Sequence, residues 1–231
     1  MTPNKFAVIG LGHFGFSVAK NLAERGAEVL AIDKDMERVE LIKDDVAYAA
    51  ALDATDIKAL TTQNIAEMDA VMVAIGENIE GLLLTTVLLL ELKIKRIIAR
   101  AVSKQQRLIL EKLGVKEILS PEDEVGILVA ERLLNPNMTA FLPLPDNYHI
   151  VEIQVPKRII KKSIGELEFE SKYQLELIAI RRKYEEFSSG RKTVVEHLIR
   201  RPGKDIILDA SDALVVLGMT EDTDRFVEVN A

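Results

Sequence analysis

The sequence predicts an α/β fold, an N-terminal doubly wound parallel sheet of the Rossmann type followed by a smaller C-terminal α+β domain. Three observations carry this expectation. Strand-like and helix-like segments alternate along residues 1–134, the pattern that builds a parallel sheet with helices on both faces. The run Gly10-Leu11-Gly12-His13-Phe14-Gly15 falls between an apolar strand and a helix. Beyond Leu134 the texture changes to proline breaks and shorter alternating strands.

The elements follow in order. Residues 5–10 read as a buried strand and 15–25 as a helix stopped by Gly26. A second strand at 28–33 leads to a helix at 36–43, a short third strand at 46–52 and a short helix at 56–62. Residues 70–75 are apolar throughout, as a central parallel strand should be. A helix at 80–92, a strand at 95–100, a helix at 104–113 ended by Gly114 and a strand at 116–119 complete the set. Six strands fit the order 3-2-1-4-5-6. Ser120-Pro121 opens a further helix, with serine as cap and proline at the first helical position.

The domains are expected at 1–134 and 148–231, with 135–147 as a crossover and linker whose Met138, Phe141 and Leu142 are free to pack on a partner. In the second domain, 148–155, 174–182 and 212–218 read as strands and 220–229 as a closing helix.

Composition narrows the function. The balance of 48% hydrophobic and 29% charged residues is that of a globular chain. A net charge of −7 argues against broad binding to nucleic acid or anionic lipid. The absence of cysteine excludes disulfides, thiolate nucleophiles and cysteine zinc sites, and suits the cytoplasm. The N-terminus shows no signal-peptide pattern, and the apolar stretch 82–92 falls far short of the roughly 20 residues that span a bilayer.

The glycine run points to phosphate binding because its context supplies the mechanism. Gly10 permits the tight turn, Gly12 lets the backbone approach a phosphate, and Gly15 lets helix and strand pack closely. His13 and Phe14 then lie at the helix N-terminus, where free N–H groups and the dipole favour an anion. Asp33 ends the second strand at the spacing expected of a ribose-binding carboxylate and would repel a 2′-phosphate, with Lys34 beside it. A helix cap is the other reading of Asp33. Asp53, Ala54 and Thr55 follow the third strand at the adenine edge, where helix-start chemistry explains them as well. Ile75 and Gly76 close the fourth strand in the ligand crevice. Arg100 closes the fifth and can donate to phosphate oxygens. Glu122, in the first turn after Ser120-Pro121, is accounted for by the helix dipole alone.

On the runs Val8 to Gly15, Val29 to Asp33, Asp53-Ala54-Thr55, Val73 to Ile79, Leu110 to Gly114 and Ser120-Pro121-Glu122, the chain resembles KtrA-type regulatory subunits of bacterial potassium uptake systems, which belong with the TrkA and RCK (regulator of K⁺ conductance) proteins. The resemblance is close over the first 140 residues. It extends to the second domain mainly through Val151 to Val155 and Asp212 to Gly218. It implies a homodimer assembling into an octameric ring. The ring would sit peripherally on the cytoplasmic face of a K⁺-translocating membrane subunit (KtrB- or TrkH-like), with ATP and ADP competing for the Rossmann site. It also implies that Arg100 faces phosphates across the dimer and that Glu122 takes part in holding a divalent cation, Mg²⁺ or Ca²⁺, near the γ-phosphate. In close relatives the residue after the second glycine is arginine. Here it is His13, which lacks the bidentate fork, so ATP preference and NAD(H) both stay open. Cyclic di-AMP is implied for the second domain, at Ile178, Ile180, Arg181 and Pro202, although the two isoleucines also suit a core strand.

An NAD-dependent oxidoreductase is the alternative. It needs a proton donor beside the nicotinamide, usually in a substrate domain. The three histidines are His13, His149 and His197, and no Ser–Tyr–Lys or His–Asp spacing accompanies them. The expectation is a non-enzymatic switch.

Overall fold

The structure is a computed structural model and describes residues 4–188 and 191–231. Two compact units divide the chain, Met1–Glu124 and Val125–Ala231.

The first unit alternates β1 (Lys5–Ile9), α1 (His13–Glu24), β2 (Glu28–Asp33), α2 (Met36–Ile42), β3 (Tyr48–Ala51), α3 (Ile57–Thr62), β4 (Ala70–Val73), α4 (Ile79–Glu91), β5 (Ile97–Arg100), α5 (Lys104–Leu113) and β6 (Glu117–Leu119). The strands form one parallel sheet in the order β3-β2-β1-β4-β5-β6, as expected from sequence. β4 is buried at every residue because helices cover both of its faces. Alternate side chains feed two cores. Ala7, Ile9, Leu30, Ile32, Val71 and Val73 enter one, whereas Val8, Val29, Ala31, Met72 and Ala74 enter the other.

Helix starts differ in a way that matters for the site. Side chains of Asp35, Asp56, Asn78 and Ser103 accept hydrogen bonds from the first turns of α2, α3, α4 and α5. Gly12 begins α1 with no side-chain cap and no acid in the first turn.

α6 (Pro121–Leu134) follows, and the division between the units falls inside it. The second unit then holds β7 (Met138–Pro143), β8 (Tyr148–Gln154), α7 (Ile164–Leu167), α8 (Phe169–Tyr173), β9 (Glu176–Ser188), β10 (Arg191–Arg200), β11 (Ala213–Met219) and α9 (Thr220–Asn230). Its antiparallel sheet has the order β10-β9-β11-β8-β7. Val151, Ile153, Ile180, Leu214 and Val216 form its core with Phe169, Tyr173 and Phe226. The Tyr173 and Phe226 rings meet edge to face at 4.9 Å.

Two expectations change here. The stretch read as a linker carries β7, which pairs with β8, so Met138 is buried opposite Ile153 instead of waiting for a partner. Phe141 is half-buried, and Leu142 of the same strand remains exposed. The strand read at 174–182 continues into a long hairpin. Its second arm, β10, was not among the expected strands, because Val194 and Leu198 stand exposed among charged residues on an edge strand.

Candidate functional site

The carboxyl ends of β1, β2, β3, β4 and β5 open onto a cleft of about 1160 Å³ in the first unit. Every candidate ligand residue named in this half of the sequence lines it except Gly15.

The glycine loop forms its floor. Gly10 has φ +96°, and a Cβ there would come within 3.0 Å of the Ala74–Ile75 backbone. It is excluded to other residues both by conformation and by space. A Cβ on Gly15 would lie 1.8 Å from the Gly10 carbonyl oxygen, so Gly15 sits beneath the loop and sets its approach to α1. Gly12 is different. Its backbone is extended (φ −63°, ψ 178°) and its Cβ would meet nothing within 4 Å. Neither conformation nor packing within the chain requires glycine there. The open space lies at the uncapped start of α1, where His13 is exposed and Phe14 half-buried.

Asp33 is buried at the end of β2. Its Oδ2 accepts from Leu11 N at 2.6 Å, and its Oδ1 accepts from Asp35 N at 2.9 Å. The capping alternative is resolved against it, because Asp35 caps α2. Lys34 and Arg38 are exposed on the same wall, with Arg38 Nη1 3.5 Å from Asp33. Further along, Asp53 accepts from the Thr55 hydroxyl at 2.7 Å and the Thr55 N–H at 2.9 Å. These bonds hold its carboxyl below the usual carboxylate range. Ala54 is buried behind them, and Asp56, not Asp53, caps α3.

Across the cleft stand Ile75, Gly76 and the first two turns of α4. Arg100 reaches in from the end of β5. Its guanidinium lies over the Phe14 ring at 5.2 Å and pairs with Glu122. That bond lowers the Glu122 carboxyl from its ordinary range. Arg100 Nε and Thr85 Oγ1 are buried without a hydrogen-bond partner among the described residues, and both residues line the cleft. Most buried polar groups are paired, so two orphans around one opening fit a ligand-binding cleft.

Ser17, Arg38, Asn78 and Thr85 are cleft residues that sequence reasoning missed. Asn78 caps α4 and Thr85 lies in its second turn, so the start of that helix brings both to the cleft. Among the described residues no group of three or more His, Cys, Asp or Glu is arranged to hold a metal, so Glu122 has no ready-made partners of that kind. Nor is any described helix long and apolar enough to cross a membrane.

In the second unit, Ile180 belongs to the core and Ile178 and Pro202 are half-buried. Arg181 is bound by Glu152 at 2.6 Å and by Glu196 at 2.6 Å. The core reading of Ile180 therefore stands, and the Arg181 guanidinium is already committed to carboxylates.

Residues 6–121 match the sequence model of the TrkA-N domain. The chain is 34% identical over 222 residues to Ktr system potassium uptake protein A of Bacillus subtilis (strain 168), covering 96% of this chain and 95% of that one. Among solved structures, a GsuK RCK domain superposes over 100% of this chain with a TM-score of 0.60 at 16% identity. A GsuK channel bound to NAD does so over 99% with a TM-score of 0.59 at 17% identity. The chain spans 48% and 39% of those two solved chains. A parallel sheet of this order, a glycine loop of this geometry and near full-length similarity agree, and the chain belongs to the TrkA-N domain family, alongside the Ktr potassium uptake proteins.

Proposed function

We propose that the chain is a nucleotide-sensing regulatory subunit of a potassium uptake system, without enzymatic activity of its own. ATP and ADP exchange in the cleft of the first unit. The difference in their affinities for two ring conformations gates a K⁺-translocating membrane subunit. The working assembly is a homodimer built into an octameric ring, cytoplasmic and peripheral on the membrane. The observation that carries the nucleotide reading is Gly12. The chain itself has no need of glycine at that position, and a phosphate approaching the uncapped α1 start does.

Within this reading the site residues divide by ligand part. Asp33 and Lys34 take the ribose side, and Asp53, Ala54 and Thr55 the base side. Gly10, Gly12, His13, Phe14 and Gly15 cradle the phosphates, closed by Ile75, Gly76 and Arg100. Glu122 would share any Mg²⁺ or Ca²⁺ with phosphate oxygens, since among the described residues no group of three or more His, Cys, Asp or Glu gathers to hold an ion alone. NAD(H) is the second reading, favoured by the NAD-bound GsuK channel of the same fold. Cyclic di-AMP in the second unit would have to compete with Glu152 and Glu196 for Arg181.

The test is a titration of the full chain with ATP, ADP, NAD⁺ and NADH, with and without Mg²⁺ or Ca²⁺. Tight binding of ATP and ADP is expected. Tight NADH binding with indifference to ATP would overturn the ATP/ADP reading, and turnover of a hydroxy or keto substrate would favour an oxidoreductase.

A further inference from the structure

The guanidinium of Arg100 is held from several sides. Phe14 lies beneath it at 5.2 Å. Its Nη1 would be 3.1 Å from a Cβ on Gly76. Its Nη2 donates to Glu122, and its Nε is buried with no acceptor among the described residues. The Arg100 side chain is 19% exposed and that of Glu122 52%.

These facts bear on competition. A guanidinium carries five donors in one rigid fork, so turning that fork onto a new anion removes Nη2 from Glu122. The pair is open to water on the glutamate side, and such pairs contribute little, about 1 kcal/mol or less. A terminal phosphate carries more charge than a carboxylate and takes a guanidinium in bidentate fashion. It also offers an acceptor to the unused Nε.

We propose that Glu122 is a specificity-determining residue of the nucleotide cleft, its carboxylate competing with the ligand's terminal phosphate for Arg100. The proposal rests on the nucleotide reading above. A ligand with several phosphates displaces Glu122, whereas adenosine has no anion with which to do so. The cleft thus discriminates by phosphate charge through an internal rival, in addition to the donors of the glycine loop. Glu122 also lies in the first turn of α6. Freed from Arg100, it becomes available to a cation on the same phosphates.

Calorimetric titration of the full chain in EDTA, which removes bridging cations, tests this. ATP, ADP and adenosine are compared in the wild type, Glu122→Gln, Arg100→Gln and the double variant. Glu122→Gln is expected to tighten ATP about 3- to 10-fold and to leave adenosine within about twofold. In the Arg100→Gln background the same change is expected to do nothing beyond about twofold. Unchanged or weakened ATP binding in Glu122→Gln overturns the proposal. So does equal tightening in the Arg100→Gln background, which would mean simple repulsion of the ligand by Glu122. If Arg100→Gln does not fold, Arg100→Lys, which keeps a cation without the bidentate fork, takes its place: competition predicts a smaller tightening by Glu122→Gln there than beside Arg100, and an equal one overturns the proposal. Failure of the wild type to bind any of the three ligands would sink the nucleotide reading itself. Binding without a response to Glu122→Gln sinks only the competition.

Discussion

Asp33 Oδ2 accepts a 2.6 Å hydrogen bond from the backbone N–H of Leu11, tying the end of β2 to the middle of the glycine loop. A residue read from sequence as a ribose ligand is therefore also a loop anchor. Asp33→Asn keeps one acceptor but loses the charge and the second oxygen. Urea unfolding should show a loss of about 1–3 kcal/mol. ATP, ADP and adenosine should weaken by a common factor, because each carries the same ribose. A selective loss of ATP would instead place the effect of Asp33 on the phosphates, through the loop.

The two glycines flanking His13 and Phe14 predict opposite phenotypes. Gly15→Ala forces a Cβ to 1.8 Å from the Gly10 oxygen, and overpacking of that kind costs about 1–3 kcal/mol or more. Gly12→Ala meets open space, so its thermal stability should stay within about 0.5 kcal/mol of the parent. Its nucleotide affinity should nevertheless fall by more than about tenfold, because the methyl stands where the phosphates would approach. Normal affinity in Gly12→Ala would remove the main support for a phosphate site.

Arg100→Gln should weaken ATP more than ADP, since the guanidinium lies at the end of the cleft bounded by Phe14, Gly76 and Glu122. Equal losses measured in one titration series would refute its role in sensing terminal phosphates.

In the second unit Arg182 binds Asp212 through Nε at 2.8 Å and Nη2 at 2.6 Å, and the aspartate side chain is fully buried. That bond raises the Arg182 pKa above its ordinary value. Arg182→Met strands a buried carboxylate and should cost about 3–5 kcal/mol in denaturant unfolding. The double change Arg182→Met with Asp212→Leu should recover much of that loss.

His149 is 1% exposed. It lies between the hydroxyl of Thr223 at 2.8 Å and that of Thr220 at 3.2 Å. Burial pushes its pKa below the ordinary 6.5, with the carboxylates of Asp224 and Glu131 pulling weakly the other way. The folded state therefore binds the proton less readily than the unfolded chain. This residue takes nothing from stability above 6.5, and stability falls as the pH drops from there toward the depressed folded value. Urea midpoints at about pH 7.5 and about pH 5.5 should differ in the parent, with the acid value lower. His149→Gln should narrow the difference.

Much of this could be read without coordinates, and the reason is local. A short apolar run rich in β-branched residues such as 70–75, set between helix-like segments, fits a strand covered on both faces, and repeated β–α units leave few arrangements besides the observed strand order. The glycine loop was legible for the same reason, since Gly10 and Gly15 answer to contacts within one strand–turn–helix unit. The second sheet was harder. β7 begins beside Asn135-Pro136-Asn137 and ends on Pro143, which reads as a break until β8 supplies the hydrogen bonds. β10 mixes charged and apolar residues on an edge, and nothing local marks it as a strand until β9 pairs with it. The sequence by itself determined the parallel sheet, the glycine loop between β1 and α1 and the carboxylate at the end of β2. Only the tertiary structure decided that Asp33 grips Leu11 and that Arg100 is held by Phe14 and Glu122. Those contacts join residues about twenty or more positions apart, where no propensity or period reaches and only the packed ends of neighbouring strands bring the groups together.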